Sequence, residues 1–343
     1  TQLDAVVEEI QATAGVLHIK RLPSLWLEPL PERLALTTVR RNEGWDGHTW
    51  RTPATWLSPI VGLVDIPQEK RQQPLELNLG KEGHLAIYSA PGYGKTTALQ
   101  TLLLSLALSH SPDDLHFYIL DFGSRMLRLY EGLPHTGGVI TADESERMER
   151  LFLLLQRKLD ERRLLLSQAG ASNLASYRQI TGRKEPAILV TLDNYANFLE
   201  AVGEDESAPN FIGRLAREGG NLGIHLVLTA NNSTTIRFST ASNIMLAVAL
   251  HLVEQSEYGS IVGRSQDLKP LAVPGRGLVR GAPPLECQVA LPVEGENDAV
   301  RVAKVEEAAK LVALEVRPRS SLDALQADAD RAKGVYDMAV SRL

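Results

Sequence analysis

The chain is 343 residues long, 44% hydrophobic and 23% charged, with a formal net charge of −6. These values exclude a disordered or fibrous chain and leave room for one large α/β domain with flanking elements, or for two small domains. A net negative surface argues against bulk nucleic-acid binding, and the single cysteine, Cys287, excludes an internal disulfide, fits a reducing compartment and is expected as a buried filler rather than a reactive thiol.

No secretory signal and no apolar run of about 18 residues is present. The chain starts at Thr1 rather than Met, which reads as a piece cut from a longer polypeptide or as a trimmed protein. Along the first residues, Leu3, Val6, Val7, Ile10 and Ala14 recur at spacings of three and four, the pattern of a helix. Pro23, Pro29, Pro31, Pro53, Pro59, Pro67 and Pro74, interleaved with Trp26, Trp45, Trp50 and Trp56, then predict an irregular lead-in lying against a larger body. From Leu75 onward, β-rich runs alternate with helical ones, with strands expected at 84–88, 116–120, 187–192, 225–229 and 247–252, and two more near 277–280 and 286–290. That alternation predicts an α/β fold, a mainly parallel sheet covered on both faces. Between the second and third strands, Thr141 and Glu144 form a capping box ahead of an apolar stripe of Met148, Leu151, Phe152, Leu155 and Leu159. The opposite face, with Arg147, Arg150, Arg157, Lys158, Glu161 and Arg162, is expected in solvent. The tail from Asn297 holds two helical segments separated by Arg317-Pro318-Arg319-Ser320-Ser321. The expected division is residues 1–74 as helix and lead-in, 75–293 as the core and 294–343 as a helical linker.

Directly after the strand at 84–88 comes Ser89-Ala90-Pro91-Gly92-Tyr93-Gly94-Lys95-Thr96-Thr97, followed by the apolar helical run 98–108. This is the strand, loop and helix order of a phosphate-binding loop. Gly92 and Gly94 permit positive φ, so backbone amides converge on an anion at the positive end of the helix. Lys95 is expected to reach the β- and γ-phosphates of ATP, Thr96 to place its hydroxyl on Mg²⁺, and Thr97 to help hold the α-phosphate. The usual pattern opens with Gly, where this chain has Ser89.

The run Ala187-Ile188-Leu189-Val190-Thr191-Leu192-Asp193 supplies the matching acidic strand end, with Asp193 ordering water on Mg²⁺. Motor-type relatives of this loop place a glutamate next, and here the residue is Asn194. An amide holds water but does not accept its proton, a loss of ~10²–10⁴ in rate, so no intact catalytic base is expected while binding survives. Glu200 is too far along the chain to substitute. Asn231 is either a γ-phosphate sensor or the start of a turn with Asn232.

The chain resembles the FtsK/SpoIIIE family of P-loop, RecA-like ATPases, and within it the modules of type VII (ESX, WXG100) secretion proteins of the EccC/EssC kind. The resemblance rests on the loop together with Trp26-Leu27-Glu28-Pro29-Leu30-Pro31, Gly62-Leu63-Val64-Asp65-Ile66-Pro67, Leu120-Asp121-Phe122-Gly123-Ser124-Arg125, Leu133-Pro134-His135-Thr136-Gly137-Gly138, Leu228-Thr229-Ala230-Asn231 and Pro274-Gly275-Arg276-Gly277-Leu278. It implies a downstream module, second or third in a tandem array, on the cytoplasmic side of the membrane as part of a larger anchored protein. Motor relatives carry a Ser-Arg pair whose arginine acts on a neighbour's nucleotide, and the matching stretch here is Ser256-Glu257-Tyr258. Arg276 reads either as a phosphate or module contact or, preferred, as part of a turn between edge strands. Arg214, Arg217 and Arg237 are weaker interface candidates, and His135 is expected to be structural.

The expected function is therefore an ATP- and Mg²⁺-binding module of a protein-secretion motor with weak hydrolysis. Neighbouring modules and WXG100-type substrates are its expected partners, and nucleic acid is not. The alternative is an active double-stranded DNA translocase of the same superfamily.

Overall fold

A computed structural model describes residues 2–19, 27–41, 44–46, 49–53, 55–264, 268–295 and 298–315. Pro23, Trp26, Asn297 and the second tail segment with its Arg317–Ser321 separator lie outside the described residues.

Helix α1 (Gln2–Val16) forms where the spacing predicts it, yet none of its residues is buried, and Leu3, Val6, Val7 and Ile10 all face solvent. The lead-in is less irregular than expected: it contributes strands β1 (Ile60–Ile66) and β2 (Arg71–Glu76), paired antiparallel. The core continues with β3 (Leu85–Tyr88), α2 (Lys95–Ser109), β4 (Leu115–Asp121), β5 (Thr136–Thr141), α3 (Ser145–Ala169), β6 (Ala187–Asp193), α4 (Tyr195–Val202) and α5 (Ser207–Glu218). After these come β7 (Ile224–Ala230), β8 (Leu246–Leu250), α6 (Gln255–Val262), β9 (Arg276–Val279), β10 (Leu285–Val289) and α7 (Asp298–Glu315).

All ten strands form one sheet, ordered β2-β1-β10-β9-β8-β3-β7-β6-β4-β5. The six from β8 to β5 pair in parallel, as a sheet covered on both faces requires, and the other four extend it antiparallel. Every residue of β3, β6 and β7 is buried, which is why these strands read as mainly apolar runs. Helix α2 is buried continuously over 98–107, so its polar residues need internal partners: Thr101 donates to the Ala290 carbonyl at 2.6 Å and Gln100 to that of Met126 at 3.1 Å.

Strand β5 was not expected. Gly137 and Gly138 weaken its strand signal, but a Cβ at Gly137 would come within 2.5 Å of the Tyr118 ring, so the glycine is what lets β5 lie beside β4. Its presence also changes the start of α3. Thr141 ends the strand, the helix begins at Ser145, and the Glu144 carboxylate reaches back to the Thr141 amide at 2.9 Å. The expected stripe is buried at Met148, Leu151, Leu155 and Leu159, with Phe152 partly covered.

Arg162 corrects the expected solvent face: it is 2% exposed and donates to the carbonyls of Leu222, Gly223 and Pro186, with Glu185 beside it. Desolvation lowers its pKa and Glu185 opposes that shift. It ties α3 to the entries of β6 and β7. Cys287 is fully buried in β10, where burial pushes its thiol up to about 12. Among the described residues no helix is long and apolar enough to cross a membrane.

Candidate functional site

The base of the loop hangs between two strand ends: the Ser89 amide donates to the Ala230 carbonyl at 3.1 Å and the Ala90 amide to that of His251 at 2.8 Å. Ser89, at the position usually held by Gly, is wholly buried and turns its hydroxyl to the Ala90 carbonyl at 2.8 Å, so the departure leaves the cradle itself unaltered. Gly92 and Gly94 have φ of 83° and 99°, the left-handed region that glycine enters without strain. Tyr93 packs its ring on His251 with centroids 4.1 Å apart, and its carbonyl accepts from the Gly275 amide at 3.1 Å.

Helix α2 starts from Gly94 with no side chain capping it, so its leading amides are available to an anion. Lys95 folds over the loop, Nζ donating to the carbonyls of Ser89 and Ala90. Desolvation lowers the Lys95 pKa and Asp193 opposes that shift.

Opposite stands Asp193, 2% exposed at the end of β6. One of its oxygens accepts from the Thr96 hydroxyl at 2.8 Å and the other from the Thr229 hydroxyl at 2.6 Å. Burial raises its pKa above the usual carboxylate range and nearby Asp121 adds to the rise, while the two hydroxyls and Lys95 oppose it. Gly123 completes this corner, since a Cβ there would sit 2.5 Å from an Asp193 oxygen. Its loop is held by Asp121, whose carboxylate accepts from the amides of Gly123, Arg125 and Leu127 at 3.1, 3.2 and 2.9 Å.

Asn194 lies in the same cleft in the left-handed conformation, φ 65°, which Asn tolerates better than most residues. Its amide donates to Thr229 at 2.7 Å and its side chain caps α4 by accepting from Asn197 at 3.3 Å. Asn232, not Asn231, makes the turn after β7: its side-chain oxygen accepts from the amides of Thr234 and Thr235 at 3.2 and 3.0 Å, while Asn231 lines the cleft.

The cleft encloses about 930 Å³. Pro91, Gly92, Gly94, Lys95, Thr96, Thr97, Asp193, Asn194 and Asn231 all border it, whereas the expected Ser89, Ala90 and Tyr93 support the loop without bordering the cleft. Glu32, Arg33 and Leu34 of the lead-in, Asn197, residues 288–291 at the exit of β10, and Arg301 of α7 also border it and carried no signal in the sequence, because only the folded sheet brings them there. The donor set fits a nucleoside triphosphate with Mg²⁺: unsatisfied amides and a lysine for phosphate, and a hydroxyl–carboxylate pair for a hard, hydrated cation.

Other candidates fall elsewhere. Arg276 closes the expected turn, its amide donating to the Val273 carbonyl at 3.0 Å, and is not among the residues that border the phosphate loop's cleft. It opens β9, is 2% exposed, and donates to the carbonyls of Leu30 and Pro31 at 2.6 and 3.2 Å, to Gln288 at 2.9 Å and to Glu286 at 3.2 Å. Tyr258 is buried in α6, its hydroxyl donating to the Leu250 carbonyl and accepting from the Leu252 amide, both at 3.0 Å. Arg237 pairs with Glu206, and Arg214 and Arg217 with Glu218, within the chain. His135 is buried, with a ring nitrogen 2.7 Å from the His110 carbonyl, as a structural residue would be.

The comparisons agree with this geometry. Residues 49–240 match the model of the FtsK/SpoIIIE family. The ESX secretion system protein YukB of Bacillus subtilis is 32% identical over 87% of the chain, and the type VII secretion system protein EssC of Staphylococcus aureus 31% over 86%. The chain spans about a fifth of the length of these relatives, 19% and 20%. Among solved structures, EssC (ATPases 2 and 3) from Geobacillus thermodenitrificans has a TM-score of 0.75 at 28% identity, covering 86% of this chain and 54% of that one. Thermomonospora curvata EccC (ATPases 2 and 3) in complex with a signal sequence peptide has a TM-score of 0.74 at 27% identity, covering 86% and 55%. With a parallel core, a phosphate-type loop at its strand ends and a family match across more than half its length, the chain belongs to the FtsK/SpoIIIE family.

Proposed function

We propose that the chain is an ATP- and Mg²⁺-binding module of a type VII protein-secretion motor, with weak hydrolysis and a regulatory role toward adjoining modules. The observation that carries this is the single cleft in which Lys95 and the Thr96–Asp193 pair face Asn194 rather than a glutamate. In that arrangement the α2 amides and Lys95 would hold the polyphosphate, Thr96 would offer its hydroxyl to the metal and Asp193 would order the metal's water. Bound Mg²⁺ would neutralise phosphate charge and orient the terminal phosphate.

Support for weak turnover comes from two positions. Asn194 is occupied as a helix cap on a left-handed backbone and has no proton-accepting group. Tyr258, at the stretch matching the Ser-Arg pair of motor relatives, points into the core and offers no cation to a neighbour. A rate factor of ~10³–10⁵ is associated with such an arginine where it acts.

The names of the relatives support the secretion assignment, and the neighbours described as cytoplasmic domains support a place on the cytoplasmic face of a membrane-borne assembly. The neighbour solved with a signal sequence peptide supports substrate recognition by modules of this kind, here of WXG100-type proteins.

Calorimetry and steady-state turnover test the proposal together. ATP with Mg²⁺ is expected to bind with submicromolar to micromolar affinity, turnover to stay near background, and double-stranded DNA to leave it unchanged; Lys95→Ala is expected to abolish retention. Robust DNA-stimulated hydrolysis would instead establish a DNA translocase, and undiminished retention by Lys95→Ala would remove the loop from the site.

A further inference from the structure

The cleft has walls that its phosphate loop does not supply. Besides the Asp193–Asn194 corner it is bordered by Leu34, the exit of β10 at Val289 and Leu291, and Arg301, and Thr97 shares a second, smaller cavity with Arg301. A triphosphate with its terminal phosphate beside Lys95 and the Thr96–Asp193 pair has its α-phosphate at Thr97 and so its nucleoside on the side of these walls, because the loop and Lys95 take the phosphates in order from α to γ. The chemistry there suits a base and ribose. Leu34 and Val289 are apolar and 8% and 6% exposed, and Arg33 and Arg301 add cations at the rim.

These walls come from opposite ends of the described chain. Leu34 belongs to the lead-in and is joined to the β10 exit by the Leu291 amide donating to its carbonyl at 2.7 Å and the Leu36 amide donating back to Leu291 at 2.9 Å. Arg301 belongs to α7, which among its described side chains buries only Val305 and Ala309. A smaller cavity of about 180 Å³, bordered by Arg301, Val302 and Val305 together with Thr96, Thr97 and Ser124, separates α7 from the start of α2. So small a buried contact leaves the docking of α7 near the low end of local stability, where one added ligand contact shifts it measurably.

We infer that the nucleoside half of the ligand is clasped between the lead-in and α7, so that filling the phosphate loop fastens both ends of the chain to the sheet and transmits occupancy to the adjoining modules. This rests on the triphosphate assignment above.

Inorganic tripolyphosphate separates the two ideas, since it carries the phosphates without the nucleoside. Hydrogen–deuterium exchange of the full chain with Mg²⁺ is expected to show protection of residues 91–97 by both ligands, and about tenfold slower exchange over 30–38 and 299–309 with ATP alone. Arg301→Gln is expected to weaken ATP about tenfold and leave tripolyphosphate unchanged, the size expected for one charge-assisted hydrogen bond. Equal protection of both ends by the two ligands, or protection by ATP that stops at 91–97, overturns the clasp. Failure of either ligand to protect 91–97 instead overturns the triphosphate assignment and the clasp with it.

Discussion

At the residue scale, Asp193 shows a functional group held against the interest of the fold. Its carboxylate is buried and its pKa is raised, chiefly by desolvation, so the folded chain binds that proton more readily than the unfolded chain does. Stability from this group is therefore gained as pH falls through its folded pKa and lost above it. Asp193→Asn removes the charge and keeps an oxygen to accept from Thr229. The ligand-free thermal midpoint is expected to rise by roughly 1–4 °C, as a change of about 1 kcal/mol gives in a chain of this size, while the further rise with MgATP disappears. Scanning fluorimetry with and without MgATP reads both, and a fall in the ligand-free midpoint would contradict the sign.

At the element scale, two buried arginines do the joining that the sheet alone does not. Arg162 ties α3 to the carbonyls ahead of β6 and β7, and Arg276 ties β9 to the lead-in at Leu30 and Pro31. Each guanidinium supplies a planar fork of donors that no other side chain offers, and its removal leaves buried carbonyls unpaired. Arg276→Gln is expected to lower stability by about 3 kcal/mol, the scale for breaking a buried charged network, and to speed proteolysis within 27–41 before the rest of the chain. Urea denaturation and timed digestion with mass spectrometry check the two effects. Cleavage that begins in the sheet would show that the lead-in is held by other contacts. Strand β5 makes the same point in miniature, because Gly137 suits Tyr118 rather than any strand propensity.

At the scale of the whole molecule, four histidines among the described residues, His84, His110, His135 and His225, are carried neutral in the interior. Desolvation comes first among the causes at each, lowering His110, His135 and His225 to about 4 and His84 to about 3. The unfolded chain protonates them near their ordinary value of about 6.5. Stability is therefore lost as pH falls below that value, and the loss continues down to their folded values. Each contributes a slope of up to about 1.4 kcal/mol per pH unit in that window. Urea midpoints are expected to fall steadily from pH 7 to pH 5, with the slope reduced in His110→Asn; a flat profile would mean that these rings exchange protons without unfolding.

By itself, the order of residues determined whatever depends on near neighbours. The phosphate loop between its strand and helix, Asp193 followed by Asn194, and the buried central strands were all legible, because backbone conformation, strand periodicity and apolar run length are local properties. The tertiary structure alone decided what depends on distant partners. It set Arg162 and Arg276 inside, made Thr141 a strand end rather than a helix cap, drew β1 and β2 from the lead-in into the sheet, and brought Leu34 and Arg301 to a cleft built around residues 89–97. An arginine's burial is set by which carbonyls the fold leaves without partners, and a cleft's far wall by which chain segment packs across it. Both are settled by contacts between residues distant in sequence, such as Arg276 to Leu30, 246 positions away.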